Sequence, residues 1–93
     1  MSTPAFGPIV KDPARFVETV IDDEIVVMQL DSGDFFSLRG SARAIWEAID
    51  GVRDEAGVCA ALIDEFPGVS RDELAADVAG FVARLRAADL LAA

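Results

Sequence analysis

One stretch, residues 24–51 (EIVVMQLDSGDFFSLRGSARAIWEAIDG), constrains the fold more than any other. Residues 25–30 are a β-rich apolar run. Asp31-Ser32-Gly33-Asp34 reads as a turn, with Gly33 free to take a positive φ and Asp31 able to bond its own backbone. Residues 34–39 return as a short strand. Gly40 breaks that strand, Ser41 is placed to cap a helix over 42–50, and Gly51 closes it. The third strand is short, contains no proline and ends its sheet. Its outer edge therefore carries unpaired N–H and C=O groups.

The remainder of the chain fits around this unit. Residues 15–21 (RFVETVI) predict a first strand with Val17, Thr19 and Ile21 on one face, and Asp22-Asp23 makes the turn into the second. In the second strand Val26, Met28 and Leu30 share one face, and Ile25, Val27 and Gln29 the other. This mixture predicts a central strand partly covered on both sides. In the third, Phe36 and Leu38 face one way, and Phe35, Ser37 and Arg39 the other. Two short turns make the sheet a meander.

Three helices follow. Ala42, Ile45, Trp46 and Ile49 fall at i, i+3, i+4 and i+7 on the first. Trp46 is accordingly a packing anchor. The second spans 55–66 behind Asp54 as N-cap, with Cys59, Leu62, Ile63 and Phe66 on its apolar stripe and Cys59 a buried, inert thiol. Pro67-Gly68 stops it. Ser70 and Glu73 match a capping box for a third helix over 71–88, whose apolar face is Leu74, Val78, Phe81, Val82 and Leu85. Leu90 and Leu91 fold back on the core. The predicted class is α+β: a three-stranded antiparallel meander, then three helices, in the manner of a winged helix-turn-helix. Residues 1–13 hold three of the four prolines and read as a flexible arm, with Phe6 and Ile9 available for docking. Residues 14–93 form the domain.

Composition removes several function classes. The chain has no histidine, so the usual general base and commonest metal ligand are missing. The lone Cys59 has no histidine to activate it and makes a poor zinc site with carboxylates alone. No catalytic residue, metal or cofactor is expected. A net charge of −9 repels nucleic acid and anionic membranes. No apolar run reaches the ~18 residues of a membrane span. Residues 1–16 lack a basic start followed by an apolar core, so the expected compartment is the cytoplasm.

A spaced pattern over residues 17–91 resembles a known family. It comprises the hairpin with Asp31, Ser32 and Gly33, then Phe35-Phe36 and Leu38. It continues with Ala44-Ile45-Trp46 ending in Asp50-Gly51, then Asp77-Val78, Phe81, Leu85 and the closing Asp89-Leu90-Leu91. This pattern is similar to the PqqD-like proteins, the recognition elements for precursors of ribosomally synthesised, modified peptides (RiPPs). Two positions depart: Arg39, where the family often has Asn, and Asp89, where it often has Gly.

The resemblance implies a non-catalytic domain that captures the leader of a precursor peptide. It would present the core peptide to a modifying enzyme, either a radical SAM protein or a peptidase–cyclase pair. The leader would add as a strand to Asp34, Phe35, Phe36, Ser37, Leu38 and Arg39, against a groove wall of Asp77, Val78, Phe81, Arg84 and Leu85. Phe35, Phe81 and Leu85 would line pockets, Arg39 and Arg84 meet leader carboxylates, and Asp77 a leader cation. The chain would be a monomer or weak homodimer. Two alternatives stand beside this reading. One is an adaptor that self-associates through the open edge. The other is a winged-helix regulator, whose third helix would oppose Arg71, Arg84 and Arg86 with Asp72, Glu73, Asp77 and Asp89.

Overall fold

In the computed structural model, which describes residues 7–92, the sheet is an antiparallel meander in the order β1 (Phe16–Ile21), β2 (Glu24–Gln29), β3 (Phe35–Leu38). β1 pairs with β2 from Phe16 opposite Gln29 to Ile21 opposite Glu24. β2 pairs with β3 from Ile25 opposite Leu38 to Met28 opposite Phe35. The helices are α1 (Gly40–Ala48), α2 (Glu55–Leu62) and α3 (Arg71–Ala87), with a 3₁₀ turn, Ile63–Glu65, after α2. α1 packs on β2 and β3, and α2 packs between α1 and α3. The predicted α+β class and element order are those observed.

The strand pattern sorts into two unequal faces. Ile25, Val27, Gln29 and Leu38 are buried beneath the helices, with Phe36 half-buried beside them. The other face has no helix over it among the described residues. Val17, Ile21, Leu30 and Phe35 are exposed there. β2 is the central strand and is partly covered on both sides, as expected: its outer residues Val26 and Met28 are half-buried, flanked by their neighbours on the sheet.

Gln29 is the one buried polar residue among those described, at 3% exposure. Its Oε1 accepts the backbone N–H of Asp31 and, at 2.9 Å, that of Ser32. The hairpin turn is thus held by Gln29 from below, and not by the Asp31 side chain as the sequence suggested. Gly33 does take a positive φ, at 78°.

Helix boundaries shift for local reasons. Gly40 takes φ 56°, which turns the chain out of β3 directly into α1. The helix therefore starts at Gly40, with Arg39 at the N-cap and no side-chain cap; Ser41 lies inside it. Asp54 caps α2 as expected, accepting from Gly57 N at 2.8 Å. α2 ends at Leu62, earlier than predicted, and Phe66 leaves the helical region, at φ −128° and ψ 68°, because Pro67 disfavours a helical residue before it. Val58 and Leu62 are buried, whereas Cys59, Ile63 and Phe66 are only partly so. α3 has the predicted capping box at Ser70 and Glu73, and all five predicted apolar residues are buried.

The core closes with segments from both sides of the fold. Ile9 is 2% exposed and donates its N–H to Arg53 O. Asp12 N bonds Leu90 O, Ala92 N bonds Val10 O, and Lys11 bridges Leu91. Leu90 and Leu91 are buried, as predicted. Residues 9–13 are thus part of the packed unit and do not form an open arm. Phe6, the other expected docking residue, lies outside the described residues.

Candidate peptide-binding groove

β3 is the last strand of the sheet, so one of its edges has no partner strand. Which backbone groups that edge offers follows from the ladder. Gln29 N donates to Asp34 O at 2.9 Å, which makes Gln29 and Asp34 a hydrogen-bonded pair. Antiparallel pairs alternate, so Val27–Phe36 and Ile25–Leu38 are bonded pairs too. The N–H and C=O groups of Phe35 and Ser37 point the other way, into the open.

Alongside this edge lies a groove of about 420 Å³. Its sheet side is Val27, Phe36, Ser37, Leu38 and Arg39; its helix side is Phe81, Arg84 and Leu85 of α3. Ala42 and Trp46 of α1 and Leu90 complete it. Leu38, Trp46, Phe81, Leu85 and Leu90 are buried and form the floor, while Ser37, Arg39 and Arg84 are exposed at the rim. The arrangement arises because Phe81, Arg84 and Leu85 fall at i, i+3 and i+4 on one face of α3.

The groove brings together most of the predicted residues, but not all. Phe36, Ser37, Leu38, Arg39, Phe81, Arg84 and Leu85 line it. Phe35 does not: it pairs with Met28 on the outer face and is 69% exposed. Val78 of α3 is 0% exposed, packed in the core, so it offers no surface to a ligand. Asp34 and Asp77 are exposed outside the lining. Sequence reasoning assigned Val27, Ala42, Trp46 and Leu90 to the core without seeing that they floor a groove. The Ala42–Trp46 spacing on one helix face was the available signal.

The rim carries two cations and no carboxylate. Arg39 Nε donates to Glu24 Oε2 at 2.7 Å, on the outer side of the sheet. The Arg84 guanidinium lies 5.9 Å from the centre of the Phe81 ring. Among the described residues no cluster of three or more acids, cysteines or histidines is arranged to hold a metal. No helix among the described residues is long and apolar enough to cross a membrane.

The sequence profile of Coenzyme PQQ synthesis protein D (PqqD) matches residues 24–91, which run from the start of β2 through the closing leucines. The chain belongs to the PqqD family. Among solved structures it is similar to TbiB1 in complex with the TbiA(beta) leader peptide, at 26% sequence identity and a TM-score of 0.77; the match covers 88% of this chain and 93% of that one. No match is found among curated proteins. The PqqD-like fold, that of a RiPP recognition element, is the one read from the spaced pattern of residues 17–91.

Proposed function

We propose that this protein captures the leader of a ribosomally synthesised precursor peptide and presents the attached core to a modifying enzyme. The observation that carries this reading is the open edge of β3 running beside an apolar groove against α3. Membership of the PqqD family and similarity to a protein complexed with a leader peptide support it. The leader adds as a fourth strand, bonded to the backbone of Phe35 and Ser37. Its inward side chains enter the groove over Phe36, Leu38, Phe81 and Leu85.

Magnitudes show why the groove is needed. Each backbone bond contributes about 0.5–1.5 kcal/mol net. Ordering each peptide residue costs about 1–2 kcal/mol. The two nearly cancel, so affinity must come from side chains buried in the groove, at roughly 1.5–3 kcal/mol each. The protein itself is a binding partner and not the catalyst; a radical SAM enzyme or a peptidase–cyclase pair in the cytoplasm performs the chemistry.

The alternative is self-association, with the open edge of β3 pairing with its copy across a two-fold axis. Leader binding is preferred because this edge borders both the apolar floor and the cationic rim. A proline at Ser37 tests strand addition at this edge. Ser37 N–H faces the open edge, so Ser37→Pro removes a donor for the leader and leaves the β2–β3 ladder intact. Calorimetric titration with the leader region of a precursor encoded beside this protein should show binding to the wild type and at least a tenfold loss in the variant. Equal affinity in a folded Ser37→Pro variant would refute strand addition at β3.

A further inference from the structure

The groove has a charge opposite to that of the molecule around it. The chain carries 17 acids against 8 cations, yet the groove lining includes two arginines and no acid. Two other surface clefts among the described residues mix both signs: Asp64, Asp72 and Arg71 in one, Glu18, Asp50 and Lys11 in the other.

The two groove arginines are not equivalent. Arg39 is already bonded to Glu24. Arg84 takes part in none of the four ion pairs found among the described residues, and its guanidinium is held near the Phe81 ring instead. The preceding acid on its face of α3, Asp77, is seven residues back, about 10 Å along the helix axis. Arg84 therefore presents uncommitted donors beside a low-dielectric floor, where a carboxylate is bound more strongly than at an open surface.

We propose that Arg84 makes this groove selective for an acidic peptide segment, one placing an Asp or Glu two residues from an apolar anchor. The inference rests on the strand-addition reading above and adds the chemistry of the ligand to it. The spacing follows from the sheet. Side chains of an added strand alternate between faces, so those entering the groove are two residues apart, beside Phe36 and Leu38. One seats apolar surface on Phe81 and Leu85, and the next inward position meets Arg84.

The test uses a displayed library of random short peptides, selected separately on the full chain and on its Arg84→Glu variant. Arg84 is exposed, so the variant is expected to keep the wild-type amide spectrum. The wild-type pool should enrich Asp or Glu two residues from an apolar residue. The Arg84→Glu pool should replace that acid with Lys or Arg at the same position. In a synthesised wild-type binder, changing the acid to its amide should weaken binding about tenfold, with a smaller effect at high salt. If binders shift the Phe36, Leu38 and Phe81 amides but show no acid preference and no swap, the acidic selectivity is wrong while the groove reading stands. If selected binders leave those amides unchanged, both fall.

Discussion

Trp46 donates its indole N–H to Glu18 Oε2 at 2.9 Å, joining α1 to the inner face of β1. Phe16 packs edge-on to the same ring at 5.2 Å, and Lys11 Nζ lies 4.1 Å from its centre. The ring is 1% exposed. Burial there lowers the Lys11 pKa, and Glu18 and Glu47 oppose that shift. Glu18→Ala leaves the buried N–H without a partner and should cost about 1–3 kcal/mol in urea unfolding. Glu18→Gln keeps an acceptor and should cost less. Trp46 is the only tryptophan and the chain has no tyrosine, so its fluorescence reports this junction directly.

α3 ends in a Schellman motif. Leu90 N bonds Leu85 O at 3.0 Å and Asp89 N bonds Arg86 O at 3.1 Å. That geometry requires a left-handed residue at Asp89, which takes φ 59°. Glycine suits the position better, and removing a negative charge from a helix C-terminus also helps. Asp89→Gly should raise stability by about 0.5–1 kcal/mol, whereas Asp89→Ala should lower it. Thermal unfolding of the two variants in parallel measures both.

Asp50 Oδ1 accepts the N–H groups of Val52 and Arg53, both at 2.9 Å. These bonds, Arg53 first, hold its carboxyl below the usual 3.8. A pKa depressed in the folded state means that the unfolded chain binds the proton more readily. The resulting stability is fully present above pH 3.8 and is lost as pH falls through the folded-state value. Asp50→Asn should flatten that part of the acid limb in denaturant titrations between about pH 5 and 2.

Cys59 is half-buried on α2, where desolvation and then Glu55 push its thiol pKa above 9.0. The thiolate is the reactive form, so alkylation should be slow at neutral pH. The rate should rise with pH and reach its half-maximum at a higher pH than for a free thiol. Rapid labelling at pH 7 in the folded protein would contradict this placement.

The elements that sequence reading located best are those specified locally. The Ser70–Glu73 capping box and the five apolar positions of α3 lie within one helix, and each appears as predicted. Alternation in β3 correctly separated Phe36 and Leu38 from Phe35, but it does not say which face meets the helices. Phe35 was therefore placed in the groove when it lies on the opposite side. In β1 too, alternation placed Val17, Thr19 and Ile21 together but left open which face turns inward. Its inner face carries Glu18, which serves the Trp46 N–H, while Val17 and Ile21 face outward. The pairing of Lys11 with Leu91 joins residues 80 apart in sequence, and no local pattern announces it. The groove floor depends on such distant contacts, since it collects Val27, Trp46 and Leu90 from three separate segments.

The most direct test of the central claim is hydrogen exchange at the Phe35 and Ser37 amides, read by NMR. The leader region of a precursor encoded beside this protein is the ligand. Both amides face the open edge of β3, so they should exchange freely alone and become protected when the leader binds. The Val27, Phe36 and Leu38 amides are already bonded within the ladder and should change far less. A leader that binds while Phe35 and Ser37 keep exchanging as before would contradict strand addition at this edge.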